Sequence, residues 1–423
     1  GLALALVFFF AFPRVGAHLL PQARDARDRL SGFTEVVGLD DIGRIQQNDA
    51  TAFRAELVSG TLPVAPYWRG RALDHYDGAS WHTSRVLGFA GVRLDGDGND
   101  ELRDTLVDAP PSAPAAEVVI YQEALGTRCL FTVGTTRAIQ FKSARPAVVD
   151  RDVLGTILCF PVPGQPIAYR LTTHPTLEVP RLHVTPLSAR RVREHCLRLP
   201  AAVDRPRLEE LSAGVLRARG VPEGAPPSVV ARALEDHLQT NYRYTLDAAR
   251  TPGTEPVADF LFERRAGHCE YFASALAVLL RVNGIPSRLV SGFRGGVYSA
   301  WSGAWTVRQR DAHAWVEAET ERGWMRLDAT PDQDEAAAGG VLSRMFEAAS
   351  ALTDWLELRW YKWVIAFDAF DQRSALRALR ERLAEAAEAA RGLVAGLAAP
   401  RRRRRAPRHS AGRPRRRRRP PRH

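Results

Sequence analysis

Three residues in the second half of the chain have the side-chain types that an activated-thiol site needs. Cys269 follows Gly267 and precedes a long apolar run, so it lies at a predicted helix start. His313 opens one predicted strand, and Asp328 lies in the next. A thiolate nucleophile needs a base, and the base needs a group that orients it. These residues predict acyl-transfer chemistry with Cys269 as nucleophile, His313 as base and Asp328 as orienting acid.

The position of Cys269 has two interpretations. Unpaired N–H groups and the dipole at a helix start favour an anion, so a thiol placed there is expected to have a lowered pKa. The local sequence fits a packed structural cysteine equally well. Small residues at positions 273–275 and 277 predict that this helix packs closely against a sheet. The apolar residues that indicate the helix are Phe272, Leu276, Leu279 and Leu280.

The spacing between His313 and Asp328 predicts a hairpin. The segments HAWVEAET (313–320) and GWMRLDAT (323–330) both indicate strands, and a turn lies near residues 321–323. A hairpin folded there places residue 313 opposite residues 328–330, on strands about 4.8 Å apart. Asp328 can then hold the His313 ring. The remaining requirement is that this sheet packs against the start of the Cys269 helix.

The elements around these residues predict an α+β fold. Helical spacing of apolar residues marks 205–220 and 226–244, with Ser228 as the expected N-cap of the second helix. Four strands, 288–293, 304–308, 313–320 and 323–330, are expected to form one antiparallel sheet after the Cys269 helix. We therefore predict a catalytic core over residues 205–335.

The part of the chain before this core is expected to be rich in β-strands. Alternating segments such as 52–58 and 116–125 are separated by Gly, Pro and Asp turns, which predicts a β-rich domain over residues 31–175. Trp68 and Trp81 are expected to pack in its core. A connector over residues 176–203 leads to the predicted helices.

The two ends of the chain differ from the body. Residues 1–12 are uninterrupted apolar, about 18 Å as a helix, and we interpret residues 1–16 as the end of a membrane helix, with a signal-peptide remnant as the alternative. Residues 344–392 indicate helices that pack on the core or lie at a membrane surface. Residues 401–423 contain 13 arginines and no acid, and are expected to be disordered.

Composition excludes several classes of site. The formal charge of +11 is concentrated in the arginine-rich tail, so the folded part is near neutral and no nucleic-acid partner is expected for it. Four cysteines without a CxxC pair make a zinc site unexpected, while one disulfide among Cys129, Cys159 and Cys196 remains open. The acidic stretch 95–101 departs from the calcium-loop pattern, and a solvated turn is favoured there.

The segments AGHCEYFASALAVLLRVNGIPSRLVSGF, RDAHAWVEA and GWMRLDATP resemble the transglutaminase-like superfamily. The resemblance covers about residues 205–335, and NYRYTL (241–246) resembles the stretch that precedes the family's core. It implies a papain-like fold with Cys269 as nucleophile, His313 as base and Asp328 as orienting acid. It also implies a glutamine side chain of a protein or peptide as acyl donor, a primary amine as acceptor, a thioester intermediate and no cofactor or metal.

Further segments resemble a bacterial membrane-anchored subgroup, the TgpA-like proteins. These segments are LDDIGRIQQNDATAFRAEL (39–57), YWRGRALDHYDGASW (67–81) and DWLELRWYKWVIAFD (354–368). The subgroup implies membrane helices before the soluble part, one after it, and a catalytic domain on the periplasmic side of the inner membrane. The segment LVAGLAAP (393–400), where the last of these helices is expected, has only eight residues and departs from the subgroup's pattern.

Two further hypotheses accompany this prediction. A cysteine protease or amidase would use the same three residues, because the pocket decides whether an amine or water attacks the thioester. A non-catalytic binding module is the third hypothesis. An enzyme also needs an oxyanion hole, for which the Cys269 backbone N–H is the natural first donor. Tyr242, Tyr244 and Trp301 are weak candidates for the second donor, each more readily explained as core or pocket wall.

Overall fold

A computed structural model shows an α+β fold in which helices pack on antiparallel sheets, as the sequence predicts. The structure describes residues 37–39, 46, 48–84, 89–93, 101–103, 115–142, 148–175, 179, 185–247, 251 and 253–331. The predictions for residues 1–16, 344–392 and 401–423, and nearly all of the acidic stretch 95–101, lie outside these residues. Within them, no helix combines the length and apolar character that crossing a membrane requires.

The strands before the helices form most of the N-terminal region. They are β1 (Val37–Gly38), β2 (Thr51–Ser59), β3 (Tyr67–Leu73), β4 (His75–Tyr76), β5 (Ser80–His82), β6 (Phe89–Arg93), β7 (Glu101–Arg103), β8 (Ala116–Gln122), β9 (Thr132–Val133), β10 (Thr135–Phe141), β11 (Val148–Asp152), β12 (Ile157–Phe160) and β13 (Ile167–His174).

The second half of the described chain alternates helices and strands. The helices are α1 (Pro186–His195), α2 (Arg205–Ala218), α3 (Pro227–Asn241), α4 (Pro256–Ala258), which continues as a π-helical segment (Asp259–Arg264), α5 (Cys269–Val282) and a 3₁₀ turn (Gln309–Asp311). The strands are β14 (Arg243–Tyr244), β15 (Ala266–Gly267), β16 (Ser287–Arg294), β17 (Val297–Ser299), β18 (Ala304–Arg308), β19 (Ala312–Thr320) and β20 (Gly323–Leu327).

Two large sheets dominate the architecture. A five-stranded sheet, called here the catalytic sheet, has the order β20-β19-β16-β3-β9. A seven-stranded sheet has the order β17-β18-β2-β8-β13-β10-β7. All pairings in both are antiparallel.

The two sheets take strands from both halves of the chain. The prediction that strand 304–308 joins the sheet after the Cys269 helix is wrong, because β18 pairs with β2 in the seven-stranded sheet. In exchange, β3 pairs along β16 in the catalytic sheet. Which strands pair in a sheet depends on which strand edges lie next to each other in the folded chain. Local sequence does not encode this when strands have similar composition.

Helix α5 begins at Cys269, as predicted, and is the most deeply buried element around the site. All of its residues are buried, and it packs against β16 and β19. Its run of small residues explains the close approach, since side chains no larger than Ala and Ser let helix and strands come near each other. Trp81 packs in the hydrophobic core around α5, where its Nε1 donates to Ser274 Oγ at 2.9 Å. The prediction that Trp81 packs in the core of the β-rich domain is therefore wrong. Trp68 does pack in the β-rich core.

Gly292 allows three strands to meet at the site. It lies opposite His313 on β19, and the register of β16 with β3 shifts at this residue. A Cβ atom here would lie 2.1 Å from the backbone oxygen of Trp68 and 2.7 Å from the Trp315 ring. Because such contacts cannot be relieved without moving backbone, no larger residue fits at this position.

A buried ionic cluster joins β3 to the rest of the catalytic sheet. Glu317 on β19 accepts from Arg69 Nε at 2.8 Å and from Arg288 Nε at 2.7 Å. Burial alone would raise the pKa of Glu317, but the two guanidinium groups lower it below its ordinary value. The carboxylate of Glu317 therefore stays ionised. Because its two partners lie on β3 and β16, these ion pairs fix the position of the N-terminal strand β3 relative to the β19–β20 hairpin.

One smaller expectation also differs, and one open question is answered. Ser228 is not the N-cap of α3, because the helix begins at Pro227 with Pro226 as its cap residue. The Ser228 hydroxyl and N–H instead donate to the carboxylate of Glu321 in the β19–β20 turn. No disulfide joins the described cysteines, all four of which are buried.

Candidate active site

The hairpin of β19 and β20 places the His313 ring on the Asp328 carboxylate. Val316 pairs with Leu327 in this hairpin, so Asp328 follows β20 at the level of the start of β19. His313 Nε2 lies 2.7 Å from Asp328 Oδ2. The sequence-predicted pair therefore meets in the way that the turn position indicates.

Several elements hold the Asp328 carboxylate. The Tyr67 hydroxyl, from β3, donates to Oδ2 at 2.7 Å, and Arg294 Nη1, from β16, lies 3.4 Å from the same oxygen. Oδ1 accepts the Thr330 backbone N–H at 3.1 Å. These contacts come from two strands and the loop after β20, so the carboxylate is fixed before any substrate arrives.

These partners keep Asp328 ionised. Burial would raise the pKa of Asp328, but His313, the Tyr67 hydroxyl and Arg294 together lower it well below its ordinary value. An ionised carboxylate only accepts hydrogen bonds, so His313 Nε2 must carry a proton and donate it. The other ring nitrogen, Nδ1, is then the proton acceptor of the neutral ring, which is the tautomer that a general base needs.

Glu235 on α3 supports the loop that carries Asp328. Its Oε1 accepts the Asp328 backbone N–H at 2.7 Å, and its Oε2 lies 2.6 Å from Arg232 Nη1. From the same helix, Gln239 Nε2 donates to the Asp328 carbonyl at 2.6 Å. Burial raises the pKa of Glu235 despite the nearby Arg232. Helix α3 thus holds the main chain of Asp328, while strands of the catalytic sheet hold its side chain.

Cys269 lies at the same sheet, beside the residue that follows His313. The backbone N–H of Ala314 lies close enough to the sulfur to favour its anionic form, and the side chain of Cys269 has no exposed surface. Among the described residues, His313 makes no hydrogen bond to the Cys269 sulfur. The structure thus forms the His313–Asp328 contact and places the buried thiol beside Ala314, the residue that follows His313.

The expectation that the helix start lowers the pKa of Cys269 is wrong for this arrangement. Burial raises the pKa of the Cys269 thiol above its ordinary value, and the charge of the neighbouring Glu270 adds to that. The backbone N–H groups of Ala314 on β19 and of Glu270 at the helix start act in the opposite direction but do not outweigh burial. The sulfur in this arrangement is therefore a neutral thiol.

One polar side chain close to the sulfur comes from a residue that sequence analysis did not select. Gln46 Nε2 lies 4.0 Å from Cys269 Sγ and donates to the Ala312 carbonyl at 3.0 Å. The Tyr244 hydroxyl donates to Gln46 Oε1 at 2.8 Å. Gln46 lies far from the core in sequence, and the segment 39–57 that contains it carries a family resemblance but does not indicate a contact with Cys269.

A cleft opens beside these residues. It has a volume of about 560 Å³ and continues from the site toward the surface. Its inner wall includes Gln46, Tyr244, Ala312 and His313. Its outer part adds, among others, Val64, Arg294, Val297 and Arg310. The cleft is large enough for a peptide side chain and leads to the imidazole.

The three weak oxyanion candidates take different places. Tyr242 is buried and donates to the Leu261 carbonyl at 3.0 Å, which makes it a core residue. Trp301 is 91% exposed on the β17–β18 hairpin. Tyr244 lines the cleft and contacts Gln46. In the described ranges, no cluster of His, Cys, Asp and Glu has the arrangement of a metal site.

Sequence analysis missed four residues of the site, namely Gln46, Tyr67, Glu235 and Arg294. A partial signal was available for Gln46 and Tyr67, since they lie in the segments 39–57 and 67–81 that carry a resemblance of their own. Neither segment indicates a site contact. Glu235 and Arg294 come from a helix face and a strand end with no distinctive spacing.

Comparisons with known proteins find two matching family models and a similar solved structure. A family model described as the transglutaminase-like superfamily matches residues 216–329, and one described as the TgpA N-terminal domain matches residues 1–178. A solved structure, the periplasmic domain of TgpA from Pseudomonas aeruginosa, is 26% identical with a TM-score of 0.56, covering 70% of this chain and 93% of that one.

Two curated proteins are similar in sequence. A protein-glutamine gamma-glutamyltransferase of Pseudomonas aeruginosa is 28% identical over 403 residues, which are 89% of this chain and 55% of that protein. The uncharacterized protein YebA of Bacillus subtilis is 36% identical over 107 residues, 23% of this chain and 14% of that protein. The chain thus spans about half the length of the first relative and a smaller part of the second.

Proposed function

The chain belongs to the transglutaminase-like superfamily, and we propose that it is a protein-glutamine gamma-glutamyltransferase with Cys269 as nucleophile, His313 as base and Asp328 as orienting acid. The observation that carries this proposal is the 2.7 Å contact of His313 with an ionised Asp328, beside the helix that starts at Cys269. The name of the Pseudomonas aeruginosa relative supports the same reaction.

The first half of the reaction forms a thioester. Cys269 gives its proton to His313 Nδ1 and attacks the carbonyl carbon of a glutamine carboxamide. The C–N bond then breaks as His313 returns the proton to the nitrogen, so that ammonia leaves and the acyl group stays on sulfur. The Cys269 backbone N–H at the start of α5 is a donor for the developing oxyanion.

The second half transfers the acyl group. A primary amine attacks the thioester carbon, His313 accepts the proton of the amine, and the C–S bond breaks with return of that proton to sulfur. The products are an isopeptide bond and the free thiol. Asp328 keeps His313 in the required tautomer and stabilises the cationic ring in both halves. Water in place of the amine would give glutamate and no cross-link.

The surrounding architecture supports a division of labour along the chain. We propose that residues 205–335 form the catalytic core and that the β-rich domain over residues 31–175 completes its sheet through β3. The periplasmic relative supports a location outside the cytoplasm, with protein or peptide glutamine as donor and a primary amine as acceptor. Attachment to a membrane through residues 1–16 stays a prediction.

The test is incubation of the full chain with a glutamine-containing peptide and a fluorescent primary amine. Fluorescent product of the mass expected for amide exchange supports transfer, provided that the Cys269→Ala variant makes none. Conversion of the glutamine to glutamate without amine incorporation would indicate an amidase instead. Cleavage of the peptide backbone would indicate a protease, and a protein that alters neither substrate would be a binding module.

A further inference from the structure

The Gln46 side chain covers the thiol on the side of the cleft. Cys269 has no exposed surface and does not line the cleft, whereas Gln46 lines the cleft and has its Nε2 4.0 Å from Cys269 Sγ. A molecule that enters the cleft therefore meets the Gln46 amide before it reaches the sulfur.

The protein groups around Gln46 match both ends of its carboxamide. The Tyr244 hydroxyl donates to the carbonyl oxygen Oε1 at 2.8 Å, and the Ala312 carbonyl accepts from Nε2 at 3.0 Å. A carboxylate or an ester could satisfy Tyr244 but has no N–H for Ala312, whereas an amide offers both a carbonyl and an N–H. The pair of groups therefore favours an amide, which is the functional group of the proposed acyl donor.

We propose that the Tyr244 hydroxyl and the Ala312 carbonyl form the subsite for the primary carboxamide of the acyl donor, and that Gln46 occupies this subsite until a donor displaces it. This inference rests on the proposed function, because it assigns the site of that reaction's first substrate. It also identifies Gln46 as an internal cover of the nucleophile.

The position of the subsite agrees with the reaction. Ala312 directly precedes His313 on β19, so an amide nitrogen bound to the Ala312 carbonyl lies near the base that protonates it as it leaves. The Tyr244 ring stacks on Phe272, in the first turn of α5, with ring centroids 6.5 Å apart. This packing fixes the hydroxyl close to the nucleophile, where it can polarise the donor carbonyl.

The first arm of the test measures access to the thiol in the full chain. Removal of the Gln46 amide in Gln46→Ala is expected to raise the rate of Cys269 alkylation by iodoacetamide about tenfold, since a side chain held by two hydrogen bonds no longer blocks it. Peptide mass spectrometry reads Cys269 against the buried Cys129, Cys159 and Cys196 as internal references.

A matched control is available two residues away. Asn48 is an exposed amide whose Nδ2 donates to Gln309 Oε1 at 2.9 Å and which makes no contact with the sulfur. Asn48→Ala should leave the rate of Cys269 alkylation unchanged. Equal alkylation rates in Gln46→Ala and wild type would overturn the proposed cover.

The second arm separates the cover from the subsite. With carbobenzoxy-glutaminyl-glycine as donor and hydroxylamine as acceptor, Gln46→Ala should lower the donor KM because the competing amide is gone. Tyr244→Phe loses the donor to the substrate carbonyl and should lower kcat/KM about 10- to 100-fold, although it also loosens Gln46 and speeds alkylation. Tyr242→Phe, which removes a core hydroxyl, should keep the wild-type KM.

Other results would overturn the inference. A loss of turnover in Gln46→Ala with unchanged alkylation would make Gln46 a donor to the oxyanion and not a cover. Unchanged kcat/KM in Tyr244→Phe would remove the proposed subsite. Failure of the proposed function reads differently: the wild-type chain would then form no hydroxamate, while the alkylation arm still reports whether Gln46 covers the thiol.

Discussion

The two ends of the site are built in opposite ways. At the acid end, the Asp328 carboxylate is ionised and held by His313, Tyr67, Arg294 and the Thr330 backbone. At the thiol end, Cys269 is neutral and fully buried, and the amide nitrogen Nε2 of Gln46 lies 4.0 Å from the sulfur. The base is therefore already oriented in the folded chain, whereas the thiol must become accessible and lose its proton before it can act as nucleophile.

This difference has a physical reason. A network of charge-assisted hydrogen bonds is stable only when each member is satisfied, which fixes its geometry in the folded chain. A thiolate is costly to bury, so a thiol that is shielded from water stays protonated until the site is opened. The hydrogen-bonded network around Asp328 keeps the shape of the site, while the buried, protonated Cys269 does not expose a reactive sulfur.

The largest effect is expected from Cys269→Ala. Turnover should fall about 10⁶-fold or to background, because no other group can form the thioester. The unfolding free energy should change by no more than about 1–2 kcal/mol, since only a small buried group is lost. Amine incorporation and urea unfolding measure the two. Residual turnover near that of the wild type would remove Cys269 from the mechanism.

The next largest effect is expected from Asp328→Asn. An amide no longer enforces the His313 tautomer, so kcat should fall about 10³- to 10⁴-fold. Unlike the cysteine variant, this one should also lose stability, because Tyr67 and Arg294 lose a charged acceptor. Steady-state kinetics and thermal unfolding of both variants make the comparison. Equal stability of the two variants would mean that the contacts of Asp328 contribute no more to the unfolding free energy than the packing of Cys269 does.

Tyr67→Phe tests the contribution of the N-terminal region to the acid end. Loss of one hydrogen bond to an ionised carboxylate should cost about 1.5–3 kcal/mol of unfolding free energy, with a smaller effect on kcat than that of Asp328→Asn. Tyr298→Phe, at a half-exposed residue on β17, serves as control and should match the wild type. A wild-type melting curve for Tyr67→Phe would contradict the proposed support from β3.

The smallest effect is expected at the thiol end, from Glu270→Gln. Glu270 raises the pKa of Cys269 through its charge, so removal of that charge favours the thiolate and lowers the pKa. The midpoint of the alkylation rate against pH should therefore move to lower pH. Glu263→Gln, at an exposed carboxylate paired with Arg207, should leave the midpoint in place. A midpoint that moves upward in Glu270→Gln would show that charge is not what raises this pKa.

Local spacing was sufficient for the parts of the site that lie on neighbouring elements. The start of α5 at Cys269 follows from Gly267 and the apolar period, and the contact of His313 with Asp328 follows from the position of one turn. Both depend on hydrogen bonding over a few residues, which side-chain periodicity reports directly. The resemblance to the transglutaminase-like superfamily rests on these same segments.

Only the folded chain decided which distant residues complete the site. Tyr67 reaches Asp328 because β3 pairs with β16, and Gln46 reaches Cys269 from a loop more than two hundred residues earlier. Strand edges and loop positions meet through the shape of the whole core, so no local pattern records them. The state of the thiol was decided in the same way, since its burial, and hence its protonation, is a property of everything packed around it.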